Sequence, residues 1–321
     1  KFGQGSIDLA CGNLMFSSED FAWSGNRMPV TIRHLYNSAL SDIQYTRNDA
    51  IKLQTADFSA MKLGKGWKLN LMQSIIDADF YHEGKFFKGF VFVDENGSEV
   101  YFKESNTTVC CSSDSHCYNL YEDISGSGMM YDPEKRIISI SDETYYFDAL
   151  GRLVKISDQY NSMVITYTAN RITSVTDGAG REFLFEYNGK GQLSAIESPN
   201  EKRVSYENDL LTSVAYAEIS NVKLTYEFGK PATVTVFDAS QHVMHKVEYE
   251  FVGDSVKTVS EYGADCEAGA TSTYEYFVAS NRTIVNIIEA DESESTIKKV
   301  YAFDDDGNIV SEYMYSEETG N

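Results

Sequence analysis

Basic residues are scarce in this chain. It has 321 residues, with 27 Lys+Arg against 49 Asp+Glu, a net charge of −22 and a pI near 4.5. A polyanion of this size lacks the Lys and Arg that grip phosphates, which excludes nucleic acid as a partner. The same shortage excludes anionic lipid surfaces. Long apolar runs are also missing. Stretches such as Phe90-Val91-Phe92-Val93 are far shorter than a membrane-spanning helix, so no membrane insertion is expected. Cysteine is sparse and odd in number: Cys11, Cys110, Cys111, Cys117 and Cys266. A disulfide-dense scaffold is therefore excluded. The start, Lys1-Phe2-Gly3-Gln4-Gly5, has neither a Met nor the shape of a signal peptide, so it reads as part of a longer chain.

What is abundant is aromatic. There are 22 Tyr and 18 Phe, and 42% of residues are hydrophobic, which supplies apolar surface enough to offset ordering entropy. The aromatics recur. Phe147, Tyr167, Tyr187, Tyr206 and Tyr226 close period-2 runs at intervals of 20, 20, 19 and 20. Phe251, Tyr276 and Phe303 continue at 25, 25 and 27. Between the early aromatics sits a turn followed by an apolar residue. It reads Gly151-Arg152-Leu153, Asn170-Arg171-Ile172, Gly191-Gln192-Leu193 and Asn208-Asp209-Leu210. Each repeat thus reads strand, turn, strand, turn.

The turns are explicit in their chemistry, as in Asp177-Gly178-Ala179-Gly180, because Gly, Asn and Asp tolerate positive φ. The strands alternate. Val222, Leu224, Tyr226 and Phe228 share one face, against Lys223, Thr225 and Glu227. Val247, Tyr249 and Phe251, and likewise Phe183, Phe185 and Tyr187, do the same. Antiparallel hairpins with one wet face give this pattern. Helical spacing is hard to find from residue 130 onward, and the one ambiguous helix candidate is Ala50–Met61.

Residues 1–130 do not repeat and form a separate β-rich region, with the repeats occupying 131–321. The first region predicts a hairpin around Asp94-Glu95-Asn96-Gly97. Residues 105–130, rich in Ser, Asp and Gly, read as a loop or insertion.

Each candidate for chemistry has a plainer reading. Cys110, Cys111, His116 and Cys117 lack the second ligand pair of a zinc site and read as a loop, with a disulfide inside it left open. His242 and His245 would share a face on a helix but not on a strand. Asp304, Asp306 and Asn308 open like a calcium loop, yet the twelfth position is Tyr315, so a hairpin turn is expected. No Gly-x-Ser-x-Gly elbow occurs, and a glycosidase carboxylate pair has no sequence signature here. Arg152 and Arg181 recur at turns, which points to a tie between hairpins through a carboxylate or carbonyl. The recurrent Tyr residues fit a ladder, ring packed and hydroxyl partnered, and some would also suit a sugar-binding face.

These landmarks resemble a known family. Tyr146-Phe147-Asp148-Ala149-Leu150-Gly151-Arg152-Leu153, with Ile156 and Asp158, is similar to the signature of YD-repeat proteins of the Rhs group, related to teneurins and insecticidal toxin-complex subunits. The phrase returns at Ile172, Val175, Asp177, Gly180 and Arg181, at Tyr187, Gly191 and Leu193, and at Tyr206, Leu210 and Val214. Asp8–Leu14, Tyr36-Asn37-Ser38 and Gly64–Asn70 look like the segment preceding the repeats in bacterial members.

The resemblance implies an all-β fold of consecutive antiparallel hairpins spiralling into a curved sheet or partial shell. It implies a non-enzymatic, cofactor-free role in a bacterial protein that is secreted or on the cell surface. The shell would enclose or present a toxin or other C-terminal polypeptide. The alternative is an adhesion module for a glycan or a surface protein. The family's autocleavage core is missing here, and the later repeats drift in length. The expectation is therefore the front portion of a shell or a reduced one.

Overall fold

The computed structural model describes every residue except 1–4, 23, 24, 26, 39–45, 48–50, 53–57, 65, 83, 111–115, 198–201, 208, 209, 217–219, 291–294, 306 and 319–321. Among the described residues there is no α-helix; 3-10 turns lie at Ser59–Met61, Ala264–Cys266 and Val278–Ser280.

The N-terminal part supplies β1 (Ser6–Ile7), β2 (Leu14–Ala22), β3 (Thr31–Asn37), β4 (Thr46–Arg47), β5 (Ile51–Lys52) and β6 (Trp67–Leu69). A long run follows: β7 (Ser74–His82), β8 (Lys85–Val93), β9 (Glu99–Cys110), β10 (Cys117–Asp123), β11 (Met130–Asp132) and β12 (Ile137–Ile140). It continues through β13 (Glu143–Phe147), β14 (Leu153–Ser157), β15 (Ser162–Thr168), β16 (Arg171–Thr176), β17 (Glu182–Tyr187) and β18 (Leu193–Glu197). The last set is β19 (Lys202–Glu207), β20 (Leu210–Tyr216), β21 (Ser220–Glu227), β22 (Lys230–Asp238) and β23 (Val243–Val252). It ends with β24 (Ser255–Tyr262), β25 (Ala268–Phe277), β26 (Arg282–Ile288), β27 (Ser295–Phe303) and β28 (Ile309–Glu318).

Strands β7 to β18 form one 12-stranded sheet and β19 to β28 a 10-stranded sheet, each in strict chain order. Each neighbouring pair is antiparallel, as consecutive hairpins require, and neither sheet closes. A smaller sheet has the order β1-β2-β3-β6. The 12-stranded sheet begins at Ser74, and β7 to β10 belong to it together with the later hairpins up to β18.

Period-2 sequence becomes period-2 burial. In β17, Phe183 and Phe185 are buried while Glu182, Leu184 and Glu186 are exposed. Burying one such side chain contributes roughly 1.5–3 kcal/mol. The buried faces of both long sheets join a single core with Leu14, Phe16, Ile32, Tyr36, Trp67 and Leu69 of the small sheet. The small sheet therefore lies against the inner face of the hairpins. Phe16 meets Tyr36 at 5.2 Å between centroids and Tyr249 of the 10-stranded sheet at 5.6 Å.

Three expectations need correction or completion. Residues 105–130 are mostly strand rather than loop: β9 pairs with β10 from Phe102↔Asp123 out to Cys110↔Cys117. Polar cross-strand bonds replace the missing apolar period. Thr108 Oγ1 donates to Asn119 (2.8 Å), and Asn119 Nδ2 donates to Glu104 (2.8 Å). A Cys110–Cys117 disulfide closes the far end. Phe228 does not share the face of Leu224. It is 96% exposed with φ 50 at the hairpin tip, because a bulge between Thr225 and Tyr226 and the turn at Gly229 re-aim the chain. Within the helix candidate, Ile51–Lys52 is strand and Ser59–Met61 a 3-10 turn; residues 50 and 53–57 lie outside the described set.

Candidate functional site: the turn and tyrosine ladder

Among the described residues six turns share one geometry. They start at Asp94, Asp148, Asp177, Asn188, Asp238 and Asp304, and each ends four residues on. The first residue's N–H donates to the fifth carbonyl, and the fourth N–H donates back to the first carbonyl. The fourth position has positive φ: Gly97 89°, Gly151 77°, Gly180 77°, Gly191 77°, Gln241 66° and Gly307 85°. This is the three-residue hairpin loop with a left-handed closing residue. In each, the first side chain's Oδ1 also accepts the fifth N–H, as at Arg152 (3.0 Å), Arg181 (2.8 Å) and Asn308 (2.8 Å).

The fifth side chain then turns back on the first. Arg152 Nε and Nη2 converge on Asp148 Oδ2 at 2.9 and 2.7 Å. Arg181 Nε and Nη2 do so on Asp177 Oδ2 at 2.7 and 2.6 Å. Burial alone would raise the Asp177 carboxyl; the bonds and charge of Arg181 outweigh it and hold it below the usual range. Gly151 is fixed by a second constraint. A Cβ there would meet the Ile75 carbonyl oxygen at 2.1 Å. Ile75 N–H donates to Gly151 O, and Leu153 N–H to Gln73 O, so the start of β7 docks on this turn.

Seven of the eight landmark aromatics sit at a register shift, and Tyr276 does not. The shifts lie at Phe147, Tyr167, Tyr187, Tyr206, Tyr226, Phe251 and Phe303. The ring reaches the preceding hairpin, from a bulge at Tyr167, Tyr187 and Tyr226 and from unbroken register at Tyr276. Tyr167 hydroxyl donates to Leu153 O (3.0 Å), Tyr187 to Ile172 O (2.7 Å), Tyr226 to Leu211 O (2.6 Å) and Tyr276 to Val256 O (2.8 Å). Leu153, Ile172, Leu211 and Val256, like Leu193, are fully buried. Each hydroxyl thus ties one hairpin to the residue that opens the return strand of the hairpin before it. Burial pushes the phenols of Tyr167, Tyr187, Tyr226 and Tyr276 far up. A cation caps two of these rings: Arg152 lies 4.3 Å from the Tyr167 centroid and Arg171 5.2 Å from that of Tyr187. Phe147 is buried and lacks a hydroxyl, while the Tyr206 side chain lies outside the described residues.

The site is thus a ladder, and it brings together Asp148, Gly151, Arg152, Leu153 and Tyr167 in one step and Tyr187 and Ile172 in the next. The sequence marks Arg171 as a turn landmark but assigns it no tie, although its place after Asn170 matches that of Arg152 after Gly151. It donates to Ala60 O (3.0 Å) and links the ladder to the N-terminal segment. Met61 lies beneath, its sulfur 3.1 Å from the Tyr187 hydroxyl. The candidate metal residues are dispersed. Cys111 lies outside the described residues, His116 meets Glu134 at 2.6 Å and His242 meets Asp238 at 3.4 Å. Among the described residues no three His, Cys, Asp or Glu side chains converge as metal ligands.

A family model described as a domain of unknown function, DUF6531, matches residues 4–102. No curated protein sequence matches the chain. Two crystal structures, of TcdB2-TccC3 and of TcdB2-TccC3-TEV, align over 96% of this chain. Identities are 10% and 11%, with TM-scores of 0.43 and 0.39. This chain spans only 19% and 18% of those two chains.

Proposed function

We propose that this chain is a wall segment of a β-shell, a non-enzymatic structural part of a secreted or surface protein of the YD-repeat type. In this reading the wall encloses or presents an effector polypeptide. The observation that carries it is the ladder. Successive hairpins pair edge to edge, and at four of the described seams a Tyr hydroxyl ties one hairpin to a buried residue of the hairpin before it, so the repeating residues do structural work. The Cys110–Cys117 disulfide supports an oxidising compartment.

Limited proteolysis of the full-length product tests the reading. An enclosed polypeptide resists a protease that cleaves it freely once the wall is unfolded in mild urea. A partner polypeptide cut equally fast with the wall folded or unfolded would overturn enclosure. Adhesion is favoured separately by Tyr313 and Tyr315, 57% and 53% exposed on β28. A glycan array would detect it, and loss of signal in Tyr313→Ala would locate it.

A further inference from the structure

The tyrosine ladder has a break. On the rim formed by the tips of the odd-to-even hairpins, ladder pairing between neighbouring hairpins stops short of the tips at several seams, whereas β26 and β27, whose aromatic is Phe303, pair out to Arg282 and Ala302. β14 and β15 pair only through Lys155–Ser157, and β16 and β17 only through Ser174–Thr176. β22 and β23 pair only from Thr233 onward. Beyond those points the tips are held by the Tyr hydroxyls reaching Leu153 and Ile172. At the β22–β23 seam the corresponding pair is Pro231 and Phe251, and phenylalanine has no hydroxyl to donate.

A charged contact stands in its place. The Lys230 amine donates to the Gly253 carbonyl and to Asp254 Oδ1 (2.7 Å), across the seam. It also lies 5.1 Å from the centroid of Phe251. The Lys230 side chain is 15% exposed, but that of Asp254 is 75% exposed. Beside this contact a groove of about 490 Å³ separates the two tips, lined by Glu227, Phe228, Pro231, Phe251, Val252 and Lys257. Phe228 and Val252 stand at its mouth, 96% and 65% exposed.

We infer that the β22–β23 seam is the point at which the sheet opens, held by an ionic latch that salt loosens. A phenol bonded to a buried carbonyl is nearly indifferent to ionic strength. A Lys–carboxylate pair with one solvated partner is screened within a Debye length of about 8 Å at physiological salt. One rim position therefore responds to the medium while its neighbours do not. The inference stands whether or not the wall encloses anything.

Hydrogen–deuterium exchange of the whole chain, read by peptide at low and high salt, tests it. Peptides covering 230–232 and 249–254 should exchange faster than those at the Tyr187 and Tyr167 seams, and should speed up further in high salt while the others do not. Phe251→Tyr, whose hydroxyl has the groove to enter, should slow the seam about fivefold, the factor for one hydrogen bond of ordinary net strength. It should also flatten the salt response. Lys230→Met, which keeps the stem, should give the high-salt rate at low salt. Equal exchange at all three seams, or a salt response that survives Lys230→Met, would overturn the latch.

Discussion

At the scale of the residue, the tyrosine hydroxyl is the smallest unit that distinguishes a stack of hairpins from a continuous wall. Tyr187 half-buries its ring and donates to Ile172 O at 2.7 Å. Tyr187→Phe keeps the ring and removes only the donor, leaving a buried carbonyl without it. The expected cost is about 1–2 kcal/mol, read as a lower urea midpoint at unchanged slope. An unchanged midpoint would mean that the ring alone carries the tie.

The same phenols set the alkaline limit. Burial holds those of Tyr167, Tyr187, Tyr226, Tyr249 and Tyr276 well above their ordinary value of 10.0, and that of Tyr131 at about 12. Above pH 10 the unfolded chain therefore releases protons that the folded chain keeps. Their contribution is fully present below pH 10 and is lost as pH rises through the folded values. Lys68 acts oppositely. Burial pulls it from 10.5 to about 8, against the opposing charges of Asp94 and Glu95, and its amine donates to Asp94 O (2.6 Å). Between those values the unfolded chain binds the extra proton, so stability rises with pH there. Urea midpoints across this range should climb from about pH 8 and then fall steeply above about pH 10, with Lys68→Met removing the climb alone. A midpoint flat to pH 11 or so would contradict the burial of the phenols.

At the scale of the element, the hairpins were legible where burial alternates and illegible where it does not. Phe183, Phe185 and Val247 announce their strands because one face is dry. The β9–β10 hairpin is held by Thr108, Asn119 and Glu104, whose side chains bond across the strands and leave no apolar period to read. The turns were legible because a left-handed position demands Gly or a residue that tolerates it. The bulges were not. A register shift at Tyr167 or Tyr187 has no residue signature of its own, yet the ring reaches the preceding hairpin from it. Phe228 fails for the same reason, since its alternation is correct up to the bulge that turns it outward. Arg152 reads from sequence as a turn residue; that it also stacks on Tyr167 of the next hairpin needs the register.

The last strand carries an expectation of its own. β28 has one ladder neighbour, β27. Val310, Tyr313 and Met314 are 62%, 57% and 68% exposed on it. Between Ile309 and Tyr315 it holds no Lys or Pro of the kind that blunts an edge. The chain should self-associate with rising concentration, and Met314→Lys should reduce this without moving the urea midpoint by more than about 0.5 kcal/mol. Light scattering decides it, and a monomer at every concentration would show the edge to be harmless.

At the scale of the whole molecule, the charge of −22 is distributed rather than focused. Acidic side chains that make turns, such as Asp148, Asp177 and Asp304, are bonded to their own loops. Those on strands, such as Glu182, Glu186 and Glu250, lie on the wet face. The excess therefore acts mainly as self-repulsion across two long sheets, which disfavours the compact state. Added salt should screen it and raise the thermal midpoint. The Lys230–Asp254 contact obeys the opposite sign, because screening removes an attraction there. Global stability and local seam opening should thus both increase with salt in the same sample. Calorimetry beside exchange at residues 230–254 would separate them. A thermal midpoint that falls with salt would mean that paired charges, not the net excess, dominate the electrostatics of the two sheets.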